Sequence, residues 1–172
     1  MTRIQIPAPD APANQLNTVL RKLAKLPEGL RAPAFNLFFG RFSPFYASLR
    51  VKVVEITPDT VSLRLRDRRR TRNHVKGIHA VAALLPAEYA AGLVCGQTVP
   101  KGAVVVVKGL ECQIRKPIRG DIVATARLTE AQRAALSTEE KGDMKLAFTV
   151  TGSDGQTPIE GVANMAWFPR KR

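Results

Sequence analysis

"IHAVAALLPAEYAAGL", residues 78–93, decides how the rest of the chain is read. From Ala80 to Val94 a helix would be apolar on every face except at Glu88. A helix without a polar stripe has no side to turn to water, so it belongs inside, wrapped by a curved sheet or pinned between subunits. Two residues sit awkwardly in such a helix. Pro86 has no amide to give to the carbonyl of Ala82, which predicts a kink just before Glu88. Glu88 brings a carboxylate, which is expensive to bury unless paired or neutralised. Around it stand Ala87, Ala90, Ala91 and Gly92, whose small size leaves room for something to approach.

On either side the apolar period becomes that of strands. SLRVKVVEI (48–56) alternates Leu49, Val51 and Val53 with Arg50 and Lys52, and VSLRLR (61–66) alternates Val61, Leu63 and Leu65 with Ser62, Arg64 and Arg66. With a Pro-Asp turn between them at 58–59, these predict an antiparallel hairpin with one wet face. Beyond the apolar stretch come AVVVVKGLECQI (103–114) and DIVATARLT (121–129). MKLAFTVTG (144–152) and VANMAWF (162–168) then flank the turn SDGQTP (153–158). TEAQRAAL (129–136) opens on a Thr-x-x-Gln capping box and predicts a short helix. At the other end, residues 1–13 read as a loose arm and NQLNTVLRKLAKL (14–26) as a short amphipathic helix capped by Asn14. AFNLFFGRFSPFY (34–46) is either a second helix or an irregular apolar segment. The expected class is α+β, an antiparallel sheet with helices on one side.

At 172 residues, 45% hydrophobic and 24% charged, the chain suits one globular domain with a real core. No apolar run reads as a membrane span, and the N-terminus lacks the apolar centre of a secretory signal. Cys95 and Cys112 are too few for a disulfide framework, and no spacing suggests a metal site, so a reducing, cytoplasmic setting is expected. Lys and Arg number 27 against 14 Asp and Glu, a net charge of +13 that favours polyanionic partners. Seven of the thirteen residues in RLRDRRRTRNHVK (64–76) are basic, which reads either as a solvated loop or as an anion surface.

That basic run ends in NHVKGIHA (73–80). Asn73 and His74 offer hydrogen-bonding side chains, Gly77 permits a sharp turn, and His79 falls at the helix N-terminus. The first amides of a helix lack intrahelical partners and face whatever lies beyond its end. A carbonyl that gains negative charge during a reaction fits that position. Each residue also has a purely structural reading: His79 as a cap, Glu88 as the partner of Arg72 or Lys76.

Asn73, five residues, His79, eight residues, Glu88, following a hairpin and lying on a buried helix succeeded by strands, resembles the hotdog-fold thioesterase superfamily. The pattern is most similar to the phenylacetyl-CoA-thioesterase-like branch, and within it to a family of the domain-of-unknown-function 4442 type that reads RNH…G…HA…E…AGL. CQIRKPIRGDIVATARL (112–128) carries a second feature of that superfamily, a basic turn and a Gly-Asp pair before a strand of small residues. The resemblance spans roughly residues 45–168. It implies a hotdog fold over 46–172, a curved antiparallel sheet around the long helix, with an N-terminal arm and helical segment over 1–45. It also implies a homodimer joined edge to edge, possible growth to a tetramer, and an acyl-CoA thioester hydrolysed at the subunit interface.

In that scheme Glu88 is base or nucleophile, Asn73 the orienting amide, and His79 with the amide of Ala80 the polarising end; His74, Gly77 and Ala80 line the substrate. Coenzyme A enters only as part of the substrate, with no resident cofactor or metal. Arg68, Arg69, Arg70 and Arg72, with Lys116 and Arg119, are the candidates for its phosphates. Two departures alter the site: the branch has His-Gly-Gly where this chain has His79-Ala80-Val81, which narrows the approach to the backbone, and Glu88 stands where Asp is commoner. Two alternatives follow, a non-catalytic hotdog protein that binds an acyl, lipid or CoA ligand, and nucleic-acid or anionic-membrane binding through 64–76. At 6% aromatic residues the composition does not favour nucleic acid.

Overall fold

In the computed structural model, which describes residues 2–170, the chain opens with β1 (Arg3–Ile4), α1 (Gln15–Leu23), α2 (Glu28–Phe42) and α3 (Pro44–Ser48). The hairpin β2 (Lys52–Ile56) and β3 (Thr60–Leu65) leads through a 3-10 turn at Arg69–Thr71 into α4 (Ala80–Thr98). Then follow β4 (Ala103–Ile114), β5 (Ile122–Arg127), α5 (Glu130–Thr138), β6 (Gly142–Gly152) and β7 (Ile159–Pro169). Met1 of the expected arm and the last two residues of the 46–172 region lie outside the described part.

The strands make one seven-stranded sheet in the order β1-β2-β3-β5-β6-β7-β4, antiparallel except where β1 meets β2. α4 packs on this sheet, contacting β3 and β5 most and also β4, β6 and β7. Ala83, Ala87, Ala90, Ala91, Val94 and Cys95 have no exposed surface, and they meet a core of Leu63, Leu65, Ile122, Ala124, Phe148 and Ala163. By length and composition α4 is the one described helix apolar enough to cross a membrane, but over half of it is buried inside the protein. This is the α+β hotdog arrangement, a sheet wrapped around one long helix.

Each end of α4 is held by distant backbone. His79 caps its start, Nδ1 accepting from the amide of Val81 at 3.2 Å. At the far end the carbonyls of Gln97 and Val99 receive the side-chain amides of Asn14 and Asn17, at 2.8–3.3 Å, so the start of α1 closes the end of α4. Pro86 is buried inside a helix that continues unbroken to Thr98.

The structure departs from the sequence reading in two places. Residues 1–13 are not wholly loose: Arg3 and Ile4 extend the sheet beside Glu55 and Ile56, because Ile4 finds a buried seat there. The hairpin lacks a fully wet face. Ser62 is buried, its hydroxyl 2.9 Å from that of Thr125, and Arg64 is half-buried, because β3 is an interior strand whose short side chains are shaded by neighbours on both sides.

AFNLFFGRFSPFY resolves into helix. α2 carries Pro33 inside it and ends at Phe42, and Pro44 then starts α3. Its anchor is Asn36, whose Oδ1 accepts from the Val53 amide at 3.0 Å and the Tyr46 hydroxyl at 2.9 Å, while Nδ2 donates to the carbonyl of Ala32. Burial, and second the nearby Tyr89, push the Tyr46 hydroxyl well above the ordinary tyrosine range, so it stays a donor. Replacing Asn36 by Leu strands two buried donors. We expect Asn36→Leu to lower stability by about 3 kcal/mol in chemical denaturation, whereas a loss below about 0.5 kcal/mol would mean the bonds are dispensable.

Candidate functional site

Glu88 stands on the wall of an open cavity of about 740 Å³ lined by α1, α2, α4 and β4. Phe38, Phe39, Phe42, Leu93 and Met165 supply most of its lining character, with Val104, Val105, Val106 and Val107 from β4. Among the described residues Glu88 is the one carboxylate of that wall, and Arg170 the one base. The Glu88 side chain is half-buried and, among the described residues, makes no ion pair or hydrogen bond. The alternative pairing with Arg72 or Lys76 is not formed: Arg72 Nε lies 2.6 Å from Asp67 Oδ1 instead.

α4 places Glu88 there, and its neighbour Tyr89 fixes the helix against the N-terminal region. The Tyr89 hydroxyl shares a short hydrogen bond with the Ser43 hydroxyl, and its ring meets Phe39 and Tyr46 edge to face at 5.7 and 5.2 Å. This aromatic cluster was not foreseen. The five phenylalanines of 34–46 signalled apolar burial but not that three of them, Phe38, Phe39 and Phe42, would line the cavity that Glu88 faces.

The other predicted residues lie at the start of α4, and the structure does not bring them to Glu88. Asn73 Oδ1 accepts from the amides of Val75 and Gly77, both at 3.1 Å, which folds the loop and leaves Nδ2 without a protein partner. Gly77 is needed for close approach, since a Cβ there would lie 2.9 Å from the carbonyl of Ile118. That carbonyl receives the amide of Ile78 at 2.8 Å, and the amide of His79 goes to Thr71 at 2.8 Å. His74 is exposed, and Ala80 is half-buried beside an exposed Val81. Among the described residues the amides of Ala80 and Ala82 find no acceptor. Eight residues of helix separate Ala80 from Glu88, about 12 Å along the axis. None of Asn73, His74, Gly77, His79 and Ala80 lines the Glu88 cavity.

The basic candidates are divided as well. Asp67 ties together the loops before α4 and before β5: it accepts from Arg72 and from the Gly120 amide at 3.1 Å, and its own amide bonds Asp121 at 3.0 Å. The Gly-Asp pair singled out in the sequence therefore has a structural task. The Arg72 hydrogen bond, more than that of Gly120, holds the Asp67 carboxyl below the usual range. A depressed carboxyl stabilises the fold above its unfolded pKa, about pH 4, and that contribution fades as pH falls below it. Arg70 reaches the carbonyl of Ser48 at 3.3 Å, Arg69 and Arg119 are exposed, and Lys116 is half-buried. Arg68 lines a different, smaller cavity. Cys95 is not a nucleophile here, because burial pushes its thiol up to about 12. Among the described residues no group of His, Cys, Asp or Glu is placed to hold a metal.

An antiparallel sheet folded around a long helix, with a lone helix carboxylate on an apolar cavity, defines a protein of the hotdog class. The chain belongs to the DUF4442 family, a domain of unknown function whose model matches residues 31–167. No curated protein matches it. Among solved structures it is similar to a protein of unknown function from Pseudomonas aeruginosa described as a probable thioesterase, with 23% identity, TM-score 0.68, and 76% of this chain and 91% of that one covered. It is also similar to a thioesterase from Haemophilus influenzae, with 12% identity, TM-score 0.62, covering 73% and 82%. A mutant thioesterase from Pseudomonas aeruginosa gives 15% identity and TM-score 0.64, covering 78% and 92%. At these identities the likeness speaks for the fold.

Proposed function

We propose that the protein hydrolyses an acyl-CoA thioester, with the acyl chain in the Glu88 cavity and Glu88 as the base. The observation that carries this reading is the unpaired carboxylate facing an apolar cavity large enough for an acyl group. Glu88 takes a proton from water, the resulting hydroxide attacks the thioester carbonyl, and the tetrahedral oxyanion collapses to expel the thiolate, which recovers a proton. Attack by the carboxylate itself, through an anhydride, is the other use of the same group. The free amides of Ala80 and Ala82 and the free Nδ2 of Asn73 suit the oxyanion and the water, with His79 holding the helix start and His74 and Gly77 near the substrate.

The start of α4 lies about 12 Å along the helix from Glu88 in one chain, so the reading calls on a second copy to supply one half of each site. Two features support a homodimer. β4 is an edge strand of twelve residues with β7 as its one neighbour, a long apolar edge of the kind that invites pairing. Val104 to Val107 alternate across that strand, yet all four touch the cavity, so it reaches around the open edge. A copy paired along β4 would close it. Val105 pairs with Trp167 at a position whose amide faces away from β7, so Val105→Pro removes an outward donor of the open edge, and we expect monomers by sedimentation together with loss of activity. A Val105→Pro protein that stays dimeric places the interface elsewhere.

Arg68, Arg69, Arg70 and Arg119 with Lys116 remain the proposed phosphate contacts of coenzyme A, Arg72 being shared with Asp67. The two free cysteines agree with a reducing, cytoplasmic setting. A panel of acyl-CoA thioesters assayed by thiol release tests the proposal, and hydrolysis of none of them would refute it. One observation favours the second reading, a binder without turnover: Val81, 64% exposed, stands over the helix start where a glycine would leave it open. Saturable acyl-CoA binding without thiol release would establish that reading in place of the first.

A further inference from the structure

A second cavity, about 280 Å³, lies where α2 meets the hairpin β2–β3. It shares no lining residue with the Glu88 cavity. Five of its lining residues are basic, Arg50, Lys52, Arg64, Arg66 and Arg68, and none is acidic. We infer that this cavity is a binding site for a phosphate group, and that it stands whether or not Glu88 hydrolyses a thioester.

The charges are gathered by the fold rather than scattered by solubility. Lys52 and Arg64 are direct partners in the β2–β3 register, and like charges placed opposite each other in a sheet are unfavourable. Arg66 lies two residues beyond Arg64, and Arg68 leads into the 3-10 turn. Arg50 enters with φ of 55°, a left-handed backbone that an L side chain seldom adopts, at the turn that feeds β2. Arg64 is half-buried, and its Nε is buried without any hydrogen-bond partner. A buried donor left open is costly, and an anion in the cavity would satisfy it.

Among the described residues no carboxylate lines the cavity to supply that anion. Glu55 on β2 is 4.0 Å from Arg3, and Asp67 is taken by Arg72 and the Gly120 amide. A phosphate brings up to two negative charges and at least three acceptor oxygens, which matches a cluster of guanidinium groups better than a monovalent carboxylate does. The same group can arrive as inorganic phosphate, as a free phosphomonoester, or as the 3′-phosphate of coenzyme A.

The test is a calorimetric titration of sodium phosphate into the full chain, with sodium chloride at matched ionic strength as control. We expect saturable binding of one phosphate per chain, weakened about tenfold or more in Arg64→Met and in Arg66→Ser. Arg66 is exposed, so Arg66→Ser keeps the fold even if Arg64→Met does not. Arg133→Ser removes an equal charge from the exposed face of α5 and should bind like the wild type. Unsaturable binding, or an equal loss in Arg133→Ser, would overturn the site and leave only the general field of a basic protein. Titrating coenzyme A against its dephospho form then names the carrier. A preference for coenzyme A that disappears in Arg64→Met assigns the 3′-phosphate, and equal binding of the two, untouched by Arg64→Met, assigns a free phosphate.

Discussion

Glu88→Ala should lower kcat/KM for the best acyl-CoA thioester about a thousandfold, with the loss almost wholly in kcat. The carboxylate has no structural bond to lose, so its removal leaves the fold intact and deletes only the group that handles the proton. Glu88→Gln sharpens the result. The amide keeps the size and polarity of the side chain but cannot accept the proton from water, so it should be as inactive as alanine while binding substrate normally. Thiol release by either variant at the wild-type rate would remove Glu88 from the chemistry. Glu88→Asp keeps the carboxylate but draws it back by one methylene, so its activity is expected to fall between that of the wild type and that of Glu88→Gln.

Trp167→Ala should be the most damaging single change to stability, at about 4 kcal/mol by urea unfolding. Trp167 is 2% exposed on β7, and its indole Nε1 donates to the carbonyl of Glu139 at 3.0 Å. It lies so close over β6 that a Cβ on Gly142 would come within 2.5 Å of the ring, which explains the glycine there. Truncation therefore removes a large buried ring and an inter-element hydrogen bond together. Trp167→Phe, which keeps most of the ring, should cost about half as much. Since the chain has one tryptophan, unfolding of both variants is best followed by circular dichroism. A loss under about 1 kcal/mol for Trp167→Ala would show that the β6–β7 end is not part of the cooperative core.

The sequence was most informative where a pattern had no competing explanation. Fourteen apolar positions around one carboxylate left α4 no place but the interior, and the structure extends it only from Val94 to Thr98. The capping box at Thr129 and Gln132 forms as expected, with both reciprocal bonds in place. The alternating strands also fall within three residues of their predicted bounds, except that the first begins at Lys52 rather than at 48, because the end of α3 and a turn occupy residues 48–50. α2 was harder, because its phenylalanines point all round the helix and Pro33 interrupts it, so no period separates helix from irregular chain. β1 escaped because two residues carry no period at all.

Asn14 caps α1 as its position predicted, but its reach to the end of α4, and the buried amides Asn17, Asn36 and Gln97, escaped for a different reason. An asparagine looks the same in sequence whether it faces water or closes the end of a helix eighty residues away. The candidate site divides along the same line. Glu88 was legible from its isolation in an apolar run, whereas the roughly 12 Å of helix between it and Ala80 sets it apart from the other candidates at the helix start.

The strand order bears on how the chain comes together in time. β7 follows every other strand in sequence, yet in the sheet it lies between β6 and β4. β4, the open-edged strand, has no partner within its own chain other than β7. Until β7 is made and threaded into place, β4 has nothing to pair with, and α4 lacks part of the wall that covers it. A nascent chain thus carries a helix apolar enough to attract other surfaces and a valine-rich strand bare on both sides, and the last strand covers both. Pairing of β4 within the chain therefore waits on β7, the later strand.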